Sequence, residues 1–408
     1  MSPFAATSSP LLRVVACLLV SSAPVSYASD NNNNNNNKNT PNIPDIPDIL
    51  SQVNPLIGST NGGNVFPGAT RPYGLAKAAP DVDGLNTGGF STDGSNITGF
   101  SALHDSGTGG NPSLGNFPLF PQLCPDDDLH RCRFRIGDRK VPYVKESVVA
   151  EPGRFSVELL GSGIRADMTV SEHAALYTFR FPAGDSEGKV HDESGRLPQQ
   201  QQQQQQHHPL VMLDLTDLWQ SRQNASVSVD ETSGRMLGNG TFLPSFGAGS
   251  YVVHFCVDFF GPGRVYDSGV WVNGRAGTEP KELFLTRGFN LFYLEGGAFV
   301  RFEPGSDSTA TVTVTARVGL SFKSAEQACR SAETEMPDPR NDFERLVEEA
   351  RAEWRDKLRS VSVTAGGASE DLVVSFWSGI YRNMISPQNY TGENPHWDTG
   401  RPYFDSFY

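Results

Sequence analysis

The sequence has few basic residues for its length. Its 408 residues include 33 lysines and arginines against 46 aspartates and glutamates, which gives a formal net charge of −13 at pH 7. Nucleic acids and anionic membrane surfaces both attract proteins through a basic face. The composition therefore argues against both, and we expect neither a nucleic-acid nor a membrane partner.

A long apolar run is also missing after the first 28 residues. No later stretch approaches the roughly 20 apolar residues that a membrane-spanning helix needs. Residues 1–28 carry Arg13, an apolar run over 14–20, and small residues at Ser26 and Ala28. This pattern is typical of a secretory signal peptide cleaved after Ala28. We therefore expect a soluble, exported mature protein.

Cysteine is scarce, with five residues, and no spacing of cysteine and histidine resembles a zinc site. Cys17 leaves with the signal peptide. Cys124 and Cys132 enclose a short polar loop, and we predict that they form a disulfide. Cys256 lies in a predicted strand and Cys329 in a predicted helix, and we expect these two to be free buried thiols.

Low-complexity tracts divide the chain. An asparagine run and a proline-rich repeat predict that segment 29–52 is disordered. A glutamine run followed by two histidines forms the insert 199–208, which we expect to be a surface loop within a sheet. A metal site at His207 and His208 is the less favoured alternative. The acidic run 126–128 similarly predicts a solvated loop, with calcium binding as the alternative.

Four N-glycosylation sequons follow the signal peptide, at Asn96, Asn224, Asn239 and Asn389. Together with the signal peptide they predict a secreted, extracellular glycoprotein. A lumenal or vacuolar destination stays open.

Two glycine-rich polar blocks, 54–74 and 99–110, are the most distinctive feature of the chain. Between residues 58 and 115 there are 14 glycines, and neither a strand nor a helix period is visible. Aromatic residues such as Phe66 and Tyr73 indicate ordered loops that pack onto the protein rather than a flexible linker. Loops held in this way commonly form binding surfaces. The alternative is a loop layer without a ligand.

Strands dominate residues 53–322. Runs rich in β-branched and aromatic residues predict strands at 154–160, 164–170, 176–181, 210–215, 251–260, 299–302 and 310–318. In the last run, Val312, Val314, Ala316 and Val318 alternate with polar residues, as in a sheet with one buried face. The fold class is therefore mainly β, with an antiparallel β-sandwich as the N-terminal domain.

Helical periodicity begins after the sandwich. Ser324 and Gln327 fit a capping box at the start of a helix that ends near Glu335. A second helix begins near Asp342, and together the two form a helical linker over 323–362. A third helix carries a broad apolar face over 372–384 and ends before Pro387. We expect that face to be exposed in this chain.

The chain resembles glycoside hydrolase family 92, the calcium-dependent exo-acting α-mannosidases. The resemblance lies in the first block, in Gly99-Phe-Ser-Ala-Leu-His-Asp-Ser-Gly-Thr-Gly-Gly110, and in Phe376-Trp-Ser-Gly-Ile-Tyr-Arg382. Segment 390–408 is similar to the fungal branch of the family. The resemblance covers residues 53–408, which correspond to about the first half of a complete member.

This resemblance implies a sandwich, a helical linker and, over 363–408, the first, incomplete part of an (α/α)6 barrel. It implies inverting hydrolysis by two carboxylates that lie beyond residue 408, so no catalytic residue is named. Calcium belongs to the complete enzyme, and we expect none bound by this part. Asp398 follows a tryptophan as in a sugar-gripping motif of the family, but Gly400 departs from that motif, and the role is not transferred.

The resemblance further implies that loops of the sandwich help to bind mannose-containing glycans. The candidate substrate-binding residues, whose side chains suit sugar hydroxyls, are Asn61, Asn64, Asp83, His104, Asp105, Ser106 and Thr108. For His104, a hydrogen-bonded structural role is an equal alternative.

Three functions are compatible with the sequence. The first is the N-terminal, carbohydrate-interacting part of a secreted α-mannosidase that acts on N-glycans or mannan and is inactive as this chain. The second is a noncatalytic carbohydrate-binding sandwich. The third is a nonfunctional product of a truncated gene.

Overall fold

Strands form most of the regular structure. The computed structural model describes residues 48–84, 88–105, 114–183, 207–245, 247–289, 292–305, 311–363, 366–396 and 400–406. The predicted signal peptide and residues 199–206 lie outside these ranges. The described strands are β1 (Ala69–Thr70), β2 (Lys77–Val82), β3 (Ile97–Ser101), β4 (Leu103–His104), β5 (Leu114–Asn116), β6 (Leu119–Gln122), β7 (Val149–Glu151), β8 (Arg154–Glu158), β9 (Arg165–Val170), β10 (Ala174–Phe181), β11 (Leu210–Asp214), β12 (Asn224–Val229), β13 (Met236–Phe242), β14 (Tyr251–Phe260), β15 (Val265–Val272), β16 (Arg275–Gly277), β17 (Glu282–Thr286), β18 (Gly296–Phe302), β19 (Val312–Ser321), β20 (Gln388–Asn389) and β21 (Phe404–Asp405).

Two large antiparallel sheets pack face to face. One has the order β1-β2-β3-β6-β11-β18-β15-β16, and the other has the order β17-β12-β13-β14-β19-β10-β9-β8-β7. Aromatic rings meet across the interface, since Phe100 of β3 lies 5.7 Å from Phe179 of β10 and Phe302 of β18 lies 6.1 Å from Phe259 of β14. Burial of these rings in one continuous core is what holds the sheets together. The predicted β-sandwich is confirmed.

The alternation of polar and apolar residues in β19 predicted one buried face, whereas residues on both faces of this strand are buried. Val314, Ala316 and Val318 face the core as predicted, but Thr315 and Arg317 on the other face are buried as well. A helix lies over that face. Arg317 donates 2.7 Å to the carbonyl oxygen of Met336 and also contacts Asp258. The polar face is therefore an interface between the sheet and a helix rather than a solvated surface.

Strands also run through the glycine-rich region, where the sequence predicted loops. All six residues of β2 and all five of β3 are buried. Strands buried on both faces show no alternation of polar and apolar residues, which explains why the period-2 signal was absent.

The four described cysteines form two disulfides. Cys124 and Cys132 are joined as predicted, with Cα atoms 4.7 Å apart. The prediction of free thiols at Cys256 and Cys329 is wrong, because these residues are also joined, with Cα atoms 5.1 Å apart. A helix carries Cys329 onto the outer face of β14, and this contact spans 73 residues of sequence.

Four α-helices lie in the described residues: α1 (Ile136–Arg139), α2 (Ala325–Glu335), α3 (Phe343–Leu358) and α4 (Glu370–Asn383). None of them is long and apolar enough to cross a membrane. Ser324 caps α2 by accepting from the backbone N–H of Gln327 at 3.1 Å. The reciprocal half of the capping box is absent, since the Gln327 side chain donates 2.6 Å to Glu393 instead.

The apolar face of α4 is only half exposed. Trp377 and Tyr381 are buried, whereas Leu372 is 61% and Phe376 is 43% exposed. The buried half packs with Leu50 and residues of α3. Part of the face that we expected to be free is thus covered by this chain itself.

The same contact corrects the boundary of the predicted disordered segment 29–52. Ile49–Gln52 form a 3-10 helix, capped by Asp48, which accepts from the Leu50 N–H at 3.3 Å. Burial of Leu50 against the helices stabilises this turn, which composition alone did not indicate.

An ion pair fastens α2 to the turn between β9 and β10. His173 Nδ1 lies 2.7 Å from Glu335 Oε1, and the His173 backbone N–H donates 3.0 Å to the same carboxylate. Burial alone would lower the pKa of His173, but the hydrogen bond and charge of Glu335 raise it above its ordinary value. Burial alone would raise the pKa of Glu335, but the hydrogen bond and charge of His173 lower it below its ordinary value.

These opposite shifts predict a pH window for the pair. The stabilisation that the pair provides is fully present between about pH 4.5 and 6.5, the unfolded-state pKa values of Glu335 and His173. It is lost as the pH rises through the raised pKa of His173 or falls through the lowered pKa of Glu335. We expect His173→Gln to lower the free energy of unfolding by about 1–2 kcal/mol at pH 6, and by less at pH 9. Urea denaturation at both pH values tests this, with exposed His130→Gln as the control. An equal loss at both pH values would contradict the ion pair.

Candidate functional site

The first glycine-rich block forms a set of tight turns. Asn61 and Asn64 both adopt left-handed backbone conformations, with φ of 56° and 53°. The Asn64 side chain donates 2.8 Å to the carbonyl oxygen of Gly62, which stabilises the turn locally. Asn61 is exposed and Asn64 is half-buried. Of these two predicted contacts, Asn61 is the more accessible.

The rest of this block binds the helical part of the chain. The Tyr73 N–H donates 2.8 Å to the Met384 carbonyl, and its own carbonyl accepts from the Asn389 N–H at 2.8 Å. The Asn54 N–H donates 2.9 Å to Ser378 Oγ of α4. These contacts dock residues 384–389 onto the sandwich. No pattern in the sequence indicated this role for the block.

His104, from the second block, is fully buried. Its Nδ1 lies 2.9 Å from the Lys77 carbonyl oxygen, and its Nε2 lies 2.8 Å from Asp81 Oδ1. Gly89 passes so close, with φ of 97°, that a Cβ there would lie 3.0 Å from His104 Nε2. Both ring nitrogens of His104 are therefore hydrogen-bonded within the protein. This arrangement corresponds to the hydrogen-bonded structural role that was the alternative for this histidine.

Asp105 lies at the junction of three distant parts of the chain. Its carboxylate accepts from Ser245 Oγ at 3.1 Å and from Gln388 Nε2 at 3.4 Å, and the residue is 4% exposed. Burial raises the pKa of Asp105 to about 7, although Lys77, Ser245 and Gln388 act in the opposite direction. Ser106 and Thr108, which follow it, lie outside the described residues.

Lys77 is the cation that faces this carboxylate. The residue is fully buried and donates 2.6 Å to the Gly74 carbonyl oxygen. Burial lowers the pKa of Lys77 to about 7, while the charges of Asp105 and Glu172 raise it. A buried acid and a buried base thus both titrate near neutral pH.

An open cleft lies between the sandwich and residues 390–396 and 403–406. It has a volume of about 400 Å³, and its polar or aromatic lining residues include Tyr251, Tyr390, Glu393, His396, Tyr403 and Asp405. Burial, together with the charge of nearby Asp105, raises the pKa of Tyr390 well above its ordinary value. Gln388, two residues before Tyr390, donates to Asp105 at 3.4 Å, so the segment that lines the cleft also contacts Asp105.

The cleft walls are fixed by hydrogen bonds. Glu393 accepts from Ser321 Oγ and from the Phe322 N–H, both at 2.7 Å. The Tyr251 hydroxyl donates 3.0 Å to Asn116, and the Tyr403 hydroxyl donates 2.6 Å to Asp405. Aromatic rings beside carboxylates and hydroxyls suit a ligand with both apolar faces and hydroxyl groups. Sequence reasoning missed these residues because they meet across long separations.

Asp83 is not brought to this cleft. It accepts from Lys140 Nζ at 2.9 Å and from the Asn96 backbone N–H at 2.8 Å. Asp83 follows the end of β2, whereas Lys77 begins that strand, and six residues of strand span about 20 Å. Asp83 therefore lies apart from Asp105 and the cleft.

No three His, Cys, Asp or Glu side chains converge on a metal-sized site within the part of the chain that the structure describes. The expectation that this part of the chain binds no calcium stays a prediction. Asp127 and His208 pair with each other at 2.6 Å, which accounts for one member of the acidic run and one of the histidine pair.

The predicted glycosylation sites are partly accessible. Asn96, Asn224, Asn239 and Asn389 are all half-buried. Asn224 and Asn239 lie on adjacent strands, opposite Thr241 and Ser226. Their glycosylation stays a prediction.

Comparisons with known proteins give consistent matches. Residues 52–321 match the model of the glycosyl hydrolase family 92 N-terminal domain, and residues 327–408 match that of the family 92 catalytic domain. An uncharacterized secreted glycosidase of Arthroderma benhamiae is 51% identical over 361 residues, which are 88% of this chain and 44% of that protein.

Solved structures share the fold. A family 92 α-mannosidase of Bacteroides thetaiotaomicron has a TM-score of 0.68 at 21% identity, covering 88% of this chain and 45% of its own. A family 92 inverting mannosidase of the same organism has a TM-score of 0.63 at 18% identity, covering 84% and 40%. The chain thus spans less than half the length of these relatives. Because the two family models together match nearly all of the described sandwich and helices, the chain belongs to glycosyl hydrolase family 92.

Proposed function

We propose that this chain is the N-terminal part of a secreted, calcium-dependent, inverting α-mannosidase-like glycoside hydrolase that acts on mannose-containing glycans, either N-glycans or mannan. The match to both family domains in one chain carries the proposal. Structural neighbours named as α-mannosidases support the substrate class, and one of them was solved in complex with mannoimidazole.

The cleft beside segment 388–406 is the surface of this chain best suited to the glycan. Its tyrosines and carboxylates are held in place by Asn116, Ser321 and Phe322, and such preorganisation favours binding of a polar ligand. The hydrolytic carboxylates of an inverting enzyme stand on opposite faces of the scissile bond. We assign both to the catalytic domain beyond residue 408, and we name no catalytic residue in this chain.

An exposed apolar surface supports continuation into that domain. Leu372 and Phe376 of α4 and Phe404 of β21 are 61%, 43% and 46% exposed. Exposed apolar patches commonly mark contacts with other protein elements. We propose that further helices of the catalytic domain cover them. A noncatalytic carbohydrate-binding sandwich and a nonfunctional product are the alternatives.

Native protein captured with an antibody against the sandwich tests the proposal. After deglycosylation, a mass well above 44.3 kDa is expected, because the chain would continue into the catalytic domain. That protein should release mannose from an α-mannobioside, with β-mannose as the first anomer seen by proton NMR. Chelation of calcium should abolish release, and an α-glucobioside serves as the control.

A mass slightly below 44.3 kDa, as expected after removal of the signal peptide, would contradict the enzymatic proposal. Binding of mannosides would then distinguish the sandwich alternative from the nonfunctional product. A full-length protein that cleaves only the glucoside would contradict the proposed substrate class.

A further inference from the structure

A second cavity lies at the end of the sandwich where β2 finishes. It has a volume of about 200 Å³ and is bounded by Asp83, by Thr98 of β3 and by the loop 216–220 that follows β11. Trp219 lines this cavity and is 51% exposed. Small-molecule pockets of about 300–1,000 Å³ are typical for drug-sized ligands, so this cavity suits a single ring.

The indole of Trp219 is presented by a rigid loop. Asp217 accepts from the backbone N–H and the hydroxyl of Ser221, both at 2.6 Å. The Leu218 N–H donates 2.9 Å to the Leu114 carbonyl. Gln220 adopts a left-handed conformation with φ of 51°, a backbone outlier of the kind that often accompanies functional sites. The backbone that carries the exposed indole is therefore held in place by these hydrogen bonds.

Polar residues line the cavity together with the indole. They include Asp83, Thr98 and Gln220. An apolar ring face beside fixed acceptors and donors matches a neutral pyranose, which presents C–H groups on one face and hydroxyls at its edge.

The charges of the cavity disfavour an anionic ligand. Asp81, Asp83 and Asp217 all line it. Arg139 on its wall is held by Asp214 at 2.7 Å and donates 2.7 Å to the Thr98 carbonyl. Like charges repel, so a neutral sugar fits better than a sulfated or uronic one.

We propose that this cavity binds one pyranose unit of a neutral glycan, stacked on Trp219 and hydrogen-bonded by Asp83. The pyranose class follows from the cavity itself. The identification of that unit as mannose rests on the proposed function.

The full 408-residue chain is titrated with mannotriose, cellotriose and maltotriose, and binding is measured by calorimetry. We expect Trp219→Ala to weaken binding at least tenfold and Trp219→Phe to restore part of the affinity, because a flat ring is retained. Asp83→Asn should weaken binding several-fold. Phe289→Ala is the matched control, since Phe289 is an aromatic residue that is 79% exposed and does not line the cavity, and it should bind like the parent chain.

Mannotriose binding that depends on Trp219 would support both proposals. Binding of another neutral trisaccharide alone, with the same dependence, would support this cavity and contradict the proposed substrate class. If no trisaccharide binds in a Trp219-dependent manner, the inference fails while the proposed function is untouched. A change in oligomeric state alone, seen by light scattering of Trp219→Ala, would identify the indole as a protein contact and would also overturn the inference.

Discussion

Trp354→Ala is expected to lower the free energy of unfolding by about 4 kcal/mol, because truncation of a buried tryptophan typically costs about 3–5 kcal/mol. Trp354 of α3 is fully buried, and its ring centroid lies 4.2 Å from that of Tyr381 in α4. Its indole N–H donates 2.8 Å to the Thr70 carbonyl oxygen. One side chain therefore joins the linker, the first glycine-rich block and the following helix.

Two further variants separate packing from hydrogen bonding. Trp354→Phe keeps an aromatic ring but leaves the Thr70 carbonyl without its donor, so a loss of about 2 kcal/mol is expected. Trp219→Ala removes a tryptophan that is half exposed and should change stability by no more than about 0.5 kcal/mol. Urea denaturation followed by circular dichroism measures all three. A loss below about 1 kcal/mol for Trp354→Ala would mean that the helices are not coupled to the sandwich in this way.

This coupling also explains what the sequence could and could not predict. Strand 251–260 and the helix ending at Glu335 were found with the observed bounds, because each depends on local patterning. The pairing of Cys256 with Cys329 depends on how α2 lies across the sheet, which no local pattern encodes. The order of residues 49–52 depends on α3 and α4 in the same way.

The candidate site shows the same division. The second glycine-rich block pointed to His104 and Asp105, and the structure buries both of them, each with its own hydrogen-bond partners. Their burial could not be inferred, because Gln388 is 283 residues from Asp105 and Ser245 is 140 residues from it. The residue types in the sequence indicated where polar and titratable side chains are concentrated. Which of these side chains are exposed to solvent depends on tertiary contacts.

The buried pair formed by Lys77 and Asp105 is expected to produce the second large effect. Asp105→Asn removes the strongest negative charge acting on the fully buried ammonium of Lys77. Because the two groups attract each other at a distance rather than through a direct ion pair, a loss of about 1–3 kcal/mol is expected. In Lys77→Met, the Asp105 carboxylate keeps its hydrogen bonds from Ser245 and Gln388. It can also take up a proton, which removes its uncompensated charge. The double variant should lose less stability than the sum of the two single variants.

The two single variants should also respond to pH in opposite directions. In Asp105→Asn, the folded-state pKa of Lys77 stays below its unfolded value, so the unfolded chain binds more protons and the stability of this variant rises with pH up to about pH 10. In Lys77→Met, the pKa of Asp105 lies above its unfolded value, so stability falls as pH rises from about 4 to 7. Urea denaturation across pH 4–10 measures both slopes. Parallel profiles would show that the two groups act through packing alone, whereas opposite slopes with a non-additive double variant would establish a charge-coupled pair beneath the cleft.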